Sequence, residues 1–133
     1  MNLDPGVCFQ IRGEGHHLKI AVTFQNKDGN VLLFGLTDLG NVEERLCIFD
    51  AGDHPFVTKP SVIEYRRRVV LPYSGFDTAL LKFHPRFSSE QLIRIIEGAH
   101  RSDELEPRYQ RWLPQSASEI ETYVGRLKYI GVT

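Results

Sequence analysis

"HLKIAVTFQNKDGNVLLFGLT", residues 17–37, decides the fold of this chain. Its first eight residues mix β-branched and apolar side chains and read as a strand. "QNKDGN" (25–30) holds an Asp-Gly pair, a strong short-range hairpin signal. "VLLFGLT" (31–37) is apolar at nearly every position. A strand of that kind is buried on both faces or lies in a closed barrel. The stretch therefore predicts an antiparallel hairpin at the centre of a β-structure.

Outward from the hairpin, "DLGNVEE" (38–44) reads as a turn and "RLCIFD" (45–50) as a third short strand. "AGDHPFVTKP" (51–60) has a glycine and two prolines and reads as a loop. "SVIEYRRRVVLP" (61–72) is a strand with a charged middle. Alternation places Val62, Glu64, Arg66 and Arg68 on one side of it, and Ile63, Tyr65, Arg67 and Val69 on the other. "FDTALLKFH" (76–84) reads as the last long strand. Two helices follow. Ser88 stands three residues before Gln91, the spacing of a capping box, and Leu92, Ile95, Ile96 and Ala99 fall on one helical face. Ser116 and Glu119 repeat the spacing ahead of a stripe of Ile120, Tyr123, Val124, Leu127 and Ile130, with Gly131 as the stop. Between them, residues 101–114 are polar, with Pro107 and Pro114, and read as an exposed connection anchored by Trp112. About five strands followed by helices predict one α+β domain over 1–133, β-rich through 87 and helical from 88. A small, strongly curved barrel with helices on one opening or side is the first expectation. An open sheet with both helices on one face is the alternative.

A chain of 133 residues buries enough surface to fold without staples. Its net charge of −1 gives no global field to draw in nucleic acid, so any RNA site must be a local patch. Two cysteines, Cys8 and Cys47, are too few for a disulfide framework or a four-thiolate zinc site, and two reduced thiols are expected. The opening residues carry Asp4, Pro5 and glycines rather than a basic and then apolar run. No apolar stretch approaches the ~20 residues of a membrane span, so cytoplasmic location without a membrane partner is the expectation.

Chemistry concentrates in residues 51–70. Pro55 and Pro60 hold His54 and Lys59 extended, so the loop is stiff at two points. A stiff loop bearing Asp53, His54 and Lys59 suits a catalytic edge. Equally, Asp53 can cap the turn and His54 can hydrogen-bond a backbone group. Lys59 to Arg68 carries four cations against Glu64 alone. Arg66 and Arg68, about 7 Å apart on one face, would grip consecutive phosphates. The competing reading is a solvent-facing edge strand that uses charge against aggregation. Phe56, Tyr65, Tyr73 and Phe76 interleave with these cations, as base stacking on single strands requires. They fit a core as well. His16 and His17 are adjacent, point to opposite faces of a strand, and cannot share a metal; neither metal nor cofactor is expected.

Three stretches together resemble the PemK/MazF toxins, growth inhibitors that cleave RNA in toxin–antitoxin systems. They are "HLKIAVTF", "VLLFGLTD" with Thr37 at the family's threonine, and "KPSVIEYRRRVVL", within a likeness spanning about residues 17–100. The family's opening Gly-Asp-Ile motif and its Arg-Pro pair are absent. The resemblance implies an SH3-like, PemK-like barrel and a metal-independent endoribonuclease acting on single-stranded RNA. It also implies an antitoxin partner, protein or RNA, and a homodimer. In such a site His54 would act as base or acid, oriented by Asp53. Arg66 or Arg67 would hold the phosphate, and Thr37 or Ser61 would donate to a phosphate oxygen. Lys59 and Arg68 would bind the RNA backbone, and Tyr65 would stack on a base. The competing function is a non-catalytic barrel, of phage or mobile-element type, that binds a protein or RNA partner.

Overall fold

The computed structural model describes residues 2–75 and 77–133. The hairpin forms as its sequence directs. β2 (Leu18–Ala21) pairs antiparallel with β3 (Asn30–Asp38), Leu18 opposite Leu36 and Ala21 opposite Leu33. Asn26 closes the turn, its Oδ1 accepting from the N–H groups of Asp28 and Asn30, both at 3.0 Å. Beyond Ala21 the ladder is finished by a side chain: Thr23 Oγ1 accepts from Leu32 N at 2.9 Å.

Around the hairpin stand β1 (Cys8–Ile11), β4 (Ile48–Phe49), β5 (Ser61–Pro72) and β6 (Leu81–His84), in the order β4-β5-β3-β2-β1-β6. All pairings are antiparallel, and the sheet curls into a half-barrel with C-terminal helices. The pairing of β3 with β5 is its central seam. Three details differ from the expectation. β1 is a sixth strand, too short and too near its glycines to announce itself. β4 shrinks to two residues and β6 to four. Phe76, at the head of the expected last strand, lies outside the described residues.

The two sheet faces diverge in what covers them. One face, with Leu18, Ile20, Leu32, Phe34, Leu36, Ile63 and Tyr65, packs against the helices in the larger core. α1 (Ser89–Arg101) contributes Leu92, Ile95, Ile96 and Ala99; α3 (Ala117–Tyr129) contributes Tyr123 and Leu127. Ser88 and Gln91 form the reciprocal capping box on α1. On α3, Ser116 Oγ accepts from Glu119 N at 3.2 Å, while the Glu119 carboxylate takes the Gln115 N–H instead. The connection 101–114 holds a further turn of helix, α2 (Pro107–Gln110), opened by its proline. The opposite sheet face is apolar toward one end, where Leu3, Val7, Phe9, Ala21, Val31 and Leu33 cluster, and charged toward the other. Cys8 and Cys47 are free and buried, and burial pushes their thiols up to about 12 and about 11, so both stay protonated at neutral pH. No helix is long and apolar enough to cross a membrane among the described residues.

Candidate functional site

The charged end of the second face is built across three strands. Lys19 on β2 stands opposite Gly35 on β3, which stands opposite Glu64 on β5. Directly opposed residues share a face, so Lys19 and Glu64 flank a position with no side chain. Lys19 Nζ and Arg67 Cβ close over it: a Cβ on Gly35 would lie 3.7 Å from the first and 4.0 Å from the second.

The three arginines do not alternate as a regular strand would have them. Leu33 pairs with Val69 and Gly35 with Glu64, so Phe34 alone opposes Tyr65 to Arg68. This bulge adds three residues to β5 and breaks the period-2 rule. The expected pairing of Arg66 with Arg68 on one face is therefore not formed. Arg66 and Arg67 instead converge on Glu64: Arg66 Nη2 lies 3.1 Å from Oε2 and Arg67 Nε 3.1 Å from Oε1. The carboxylate is only 6% exposed while both guanidiniums are more than half exposed, so the acid forms a floor from which the cations project. Lys19 is held below the usual lysine range by burial first and by Arg67 second. Arg68 turns away to Glu106 at 2.8 Å and over the Tyr109 ring.

Thr37 follows Gly35 by two residues and so shares its face. It is buried, and its hydroxyl accepts from Asn41 Nδ2 at 3.1 Å, leaving its own proton free of any partner among the described residues. With His16, Asp38, Lys59 and Ser61 it lines a hollow of about 10 Å³, room for one water and not for a base. Lys59 pairs with Asp38 at 2.9 Å at the rim, and Ser61 Oγ donates to Lys59 O at 2.9 Å.

His54 and Asp53 belong elsewhere. The His54 imidazole is 2% exposed and stacks on Phe87 with centroids 4.1 Å apart. Nε2 donates to Pro85 O at 2.6 Å and Nδ1 accepts from Phe56 N at 3.1 Å, so both nitrogens are spent. Burial lowers its pKa, against a smaller upward push from Pro85 O. Asp53 caps the turn, its Oδ2 accepting from Asp50 N at 2.8 Å, and does not orient His54. Of the two readings of this loop, the structural one describes both side chains. Tyr65 does not stack on a base either: it is buried, its hydroxyl donates to Ile95 O at 2.7 Å, and its ring meets Phe34 edge-on.

The charged face thus gathers Thr37, Arg66 and Arg67, while Ser61 and Lys59 stand at the strand-end hollow beside it; two residues that local reading passed over join them, Lys19 on the face and His16 at the hollow. Lys19 could have been found from the alternation of strand 17–24, since it is the charged residue between buried Leu18 and Ile20. His16 sits exposed beside Thr37, its ring 5.0 Å from Phe56; weighing the histidine pair only as metal ligands hid it. Among the described residues no three His, Cys, Asp or Glu side chains gather as a metal site requires. No family model, curated protein or solved structure matches the chain.

Proposed function

We propose that the protein is a metal-independent endoribonuclease of the PemK/MazF kind, acting on single-stranded RNA at the charged end of the second sheet face. One observation carries this reading: Arg66 and Arg67 both reach a buried carboxylate that Lys19 flanks, three cations on the face that also bears Thr37, with the His16 hollow at the end of β3 and the start of β5. A cleavable phosphate has a complementary seat there.

The chemistry needs only transesterification. His16 takes the 2′-hydroxyl proton, the 2′-oxygen bonds to phosphorus, and the bond from phosphorus to the 5′-oxygen breaks. Lys19, whose burial eases release of its proton, protonates the departing 5′-oxygen. Arg66 and Arg67 hold the phosphate oxygens. The products are a 2′,3′-cyclic phosphate and a 5′-hydroxyl. Lys59 steadies the backbone at the rim. An antitoxin, protein or RNA, and a homodimer belong to the same proposal.

A second reading, a barrel that binds RNA or protein without chemistry, draws on the burial of His54 and Tyr65, which takes both side chains out of reach of a substrate. Inducible expression in a bacterium separates the two. The nuclease arrests growth and leaves cut transcripts, and His16→Ala slows cleavage by about 10²- to 10⁴-fold, the usual worth of a proton-transfer residue. Intact RNA during normal growth, or a His16→Ala protein that cuts at the parent rate, rejects it.

A further inference from the structure

A second feature lies away from that face, between the β2–β3 turn and α3. There a cleft of about 650 Å³ opens, within the range of small-ligand sites. Its walls include Phe24, Trp112 and Tyr123, and its rim includes Lys27, Arg111 and Arg126. The three cations are exposed and none makes an ion pair among the described residues. The single carboxylate on the lining, Glu119, already accepts from Gln115 N. Arg126 lies flat on Phe24, its Cζ 3.8 Å from the ring centroid, and Tyr123 meets the same ring edge-on at 5.6 Å. The cleft is thus aromatic within, cationic around, and short of anions.

A chain of contacts joins it to the charged sheet face. Arg68, next in sequence to Arg67, lies 5.6 Å from the Tyr109 centroid. Arg108 covers the same ring at 4.7 Å, and Tyr109 meets Trp112 at 6.2 Å between centroids. Trp112 is the wall of the cleft. Arginines and aromatic rings therefore follow one another from the β5 bulge, over α2, to Trp112, with Glu106 the carboxylate on Arg68.

The geometry points to a binding track for single-stranded RNA, running from the β5 bulge across Tyr109 into the Trp112 cleft. A base lies against Trp112 there, and the phosphates meet Arg111, Lys27 and Arg126. Alternating stacking surfaces and cations fit a strand whose bases are unpaired, and they need no sequence preference. This deepens the proposed function and rests on it: the track holds the strand whose cleaved phosphate sits at Arg66 and Arg67. It also explains what α2 and its linker do beyond closing the core.

Trp112 is the sole tryptophan, so its fluorescence reports the cleft alone. The probe is a fluorescein-tagged 2′-O-methyl dodecanucleotide, which cannot be cut; binding is therefore read apart from cleavage. Binding followed by anisotropy is expected to quench Trp112. An Arg111→Ala/Arg126→Ala variant that retains its circular dichroism and melting temperature is expected to bind at least about tenfold more weakly, with a shallower salt dependence. Saturating anisotropy with unchanged Trp112 emission and unaltered affinity in the variant overturns the track and leaves the nuclease reading standing. Quenching by a chain that cuts no RNA supports the track and rejects the nuclease. Two further results overturn the strand assignment: AMP binding as tightly as the dodecamer, or polyglutamate quenching where the dodecamer does not.

Discussion

Gly98 shows how far a single residue can run against its local preference. It sits inside α1, where glycine costs about 1 kcal/mol relative to alanine. The position is nevertheless closed to a side chain. A Cβ there would collide with the Tyr65 hydroxyl oxygen and lie 3.1 Å from its Cζ and 3.3 Å from Cys47 Cβ. Tyr65 needs that approach to donate to Ile95 O. Gly98→Ala should therefore destabilise the protein by about 1–3 kcal/mol, the range for overpacking, despite the gain in helix propensity. In a Tyr65→Phe background the same substitution should cost less, because the colliding oxygen is gone. Urea unfolding of the four proteins measures that coupling, and simple additivity would show that the collision is not the cause. The sequence placed Tyr65 in a strand correctly. It could not show that the ring points at a helix, since the residue closing that distance lies 33 positions away and is a glycine.

Among the elements, β5 carries the most information and was the hardest to read. Its existence and its bounds follow from composition and turn signals. Its bulge does not, because "YRRRVV" looks like an uninterrupted strand and only the register against Phe34 reveals the extra residues. The error propagated to the side chains: alternation split Arg66 from Arg67, whereas both reach Glu64. That arrangement has a measurable signature. Arg66→Ala or Arg67→Ala alone leaves one guanidinium on the carboxylate and should cost under about 1 kcal/mol, as exposed partners do. Removing both strands a buried charge and should cost more than the two together, about 2–3 kcal/mol. Adding Glu64→Gln should restore much of the loss. Chemical denaturation of this series decides the point; a strictly additive double variant would mean the carboxylate needs neither arginine. α1 and α3, by contrast, were legible nearly to the residue, since Ser88 and Ser116 announce their starts by local chemistry; α2, inside the polar connection, was not.

At the scale of the whole molecule, His54 fastens distant segments to one another. Its ring ties the 51–57 loop to the turn between β6 and α1 through Pro85 O and Phe87. The imidazole is buried neutral, with its pKa lowered from 6.5. The unfolded chain therefore binds the proton more readily than the folded one. Stability is full above about pH 6.5 and falls as the pH drops through the lower folded value. Urea midpoints should decline as the pH falls below about 6.5, and His54→Gln should flatten part of that decline. His84, lowered by burial and then by Lys82, supplies another part. An unchanged slope in His54→Gln would assign the effect elsewhere. The half-barrel was legible because its hairpin, loops and caps are each local; the candidate site was not, because it assembles from residues 16 to 67 across three strands.

The position of β1 between β2 and β6 sets a schedule for the nascent polypeptide. Cys8 waits for His84, 76 residues later, to complete its ladder. At ribosomal rates that delay is about 4–15 s, against microseconds for the β2–β3 hairpin. For those seconds the growing chain shows an unpaired edge and a greasy surface awaiting its helical cover. Chaperone dependence during synthesis, rather than fragility once finished, is where this topology exacts its toll.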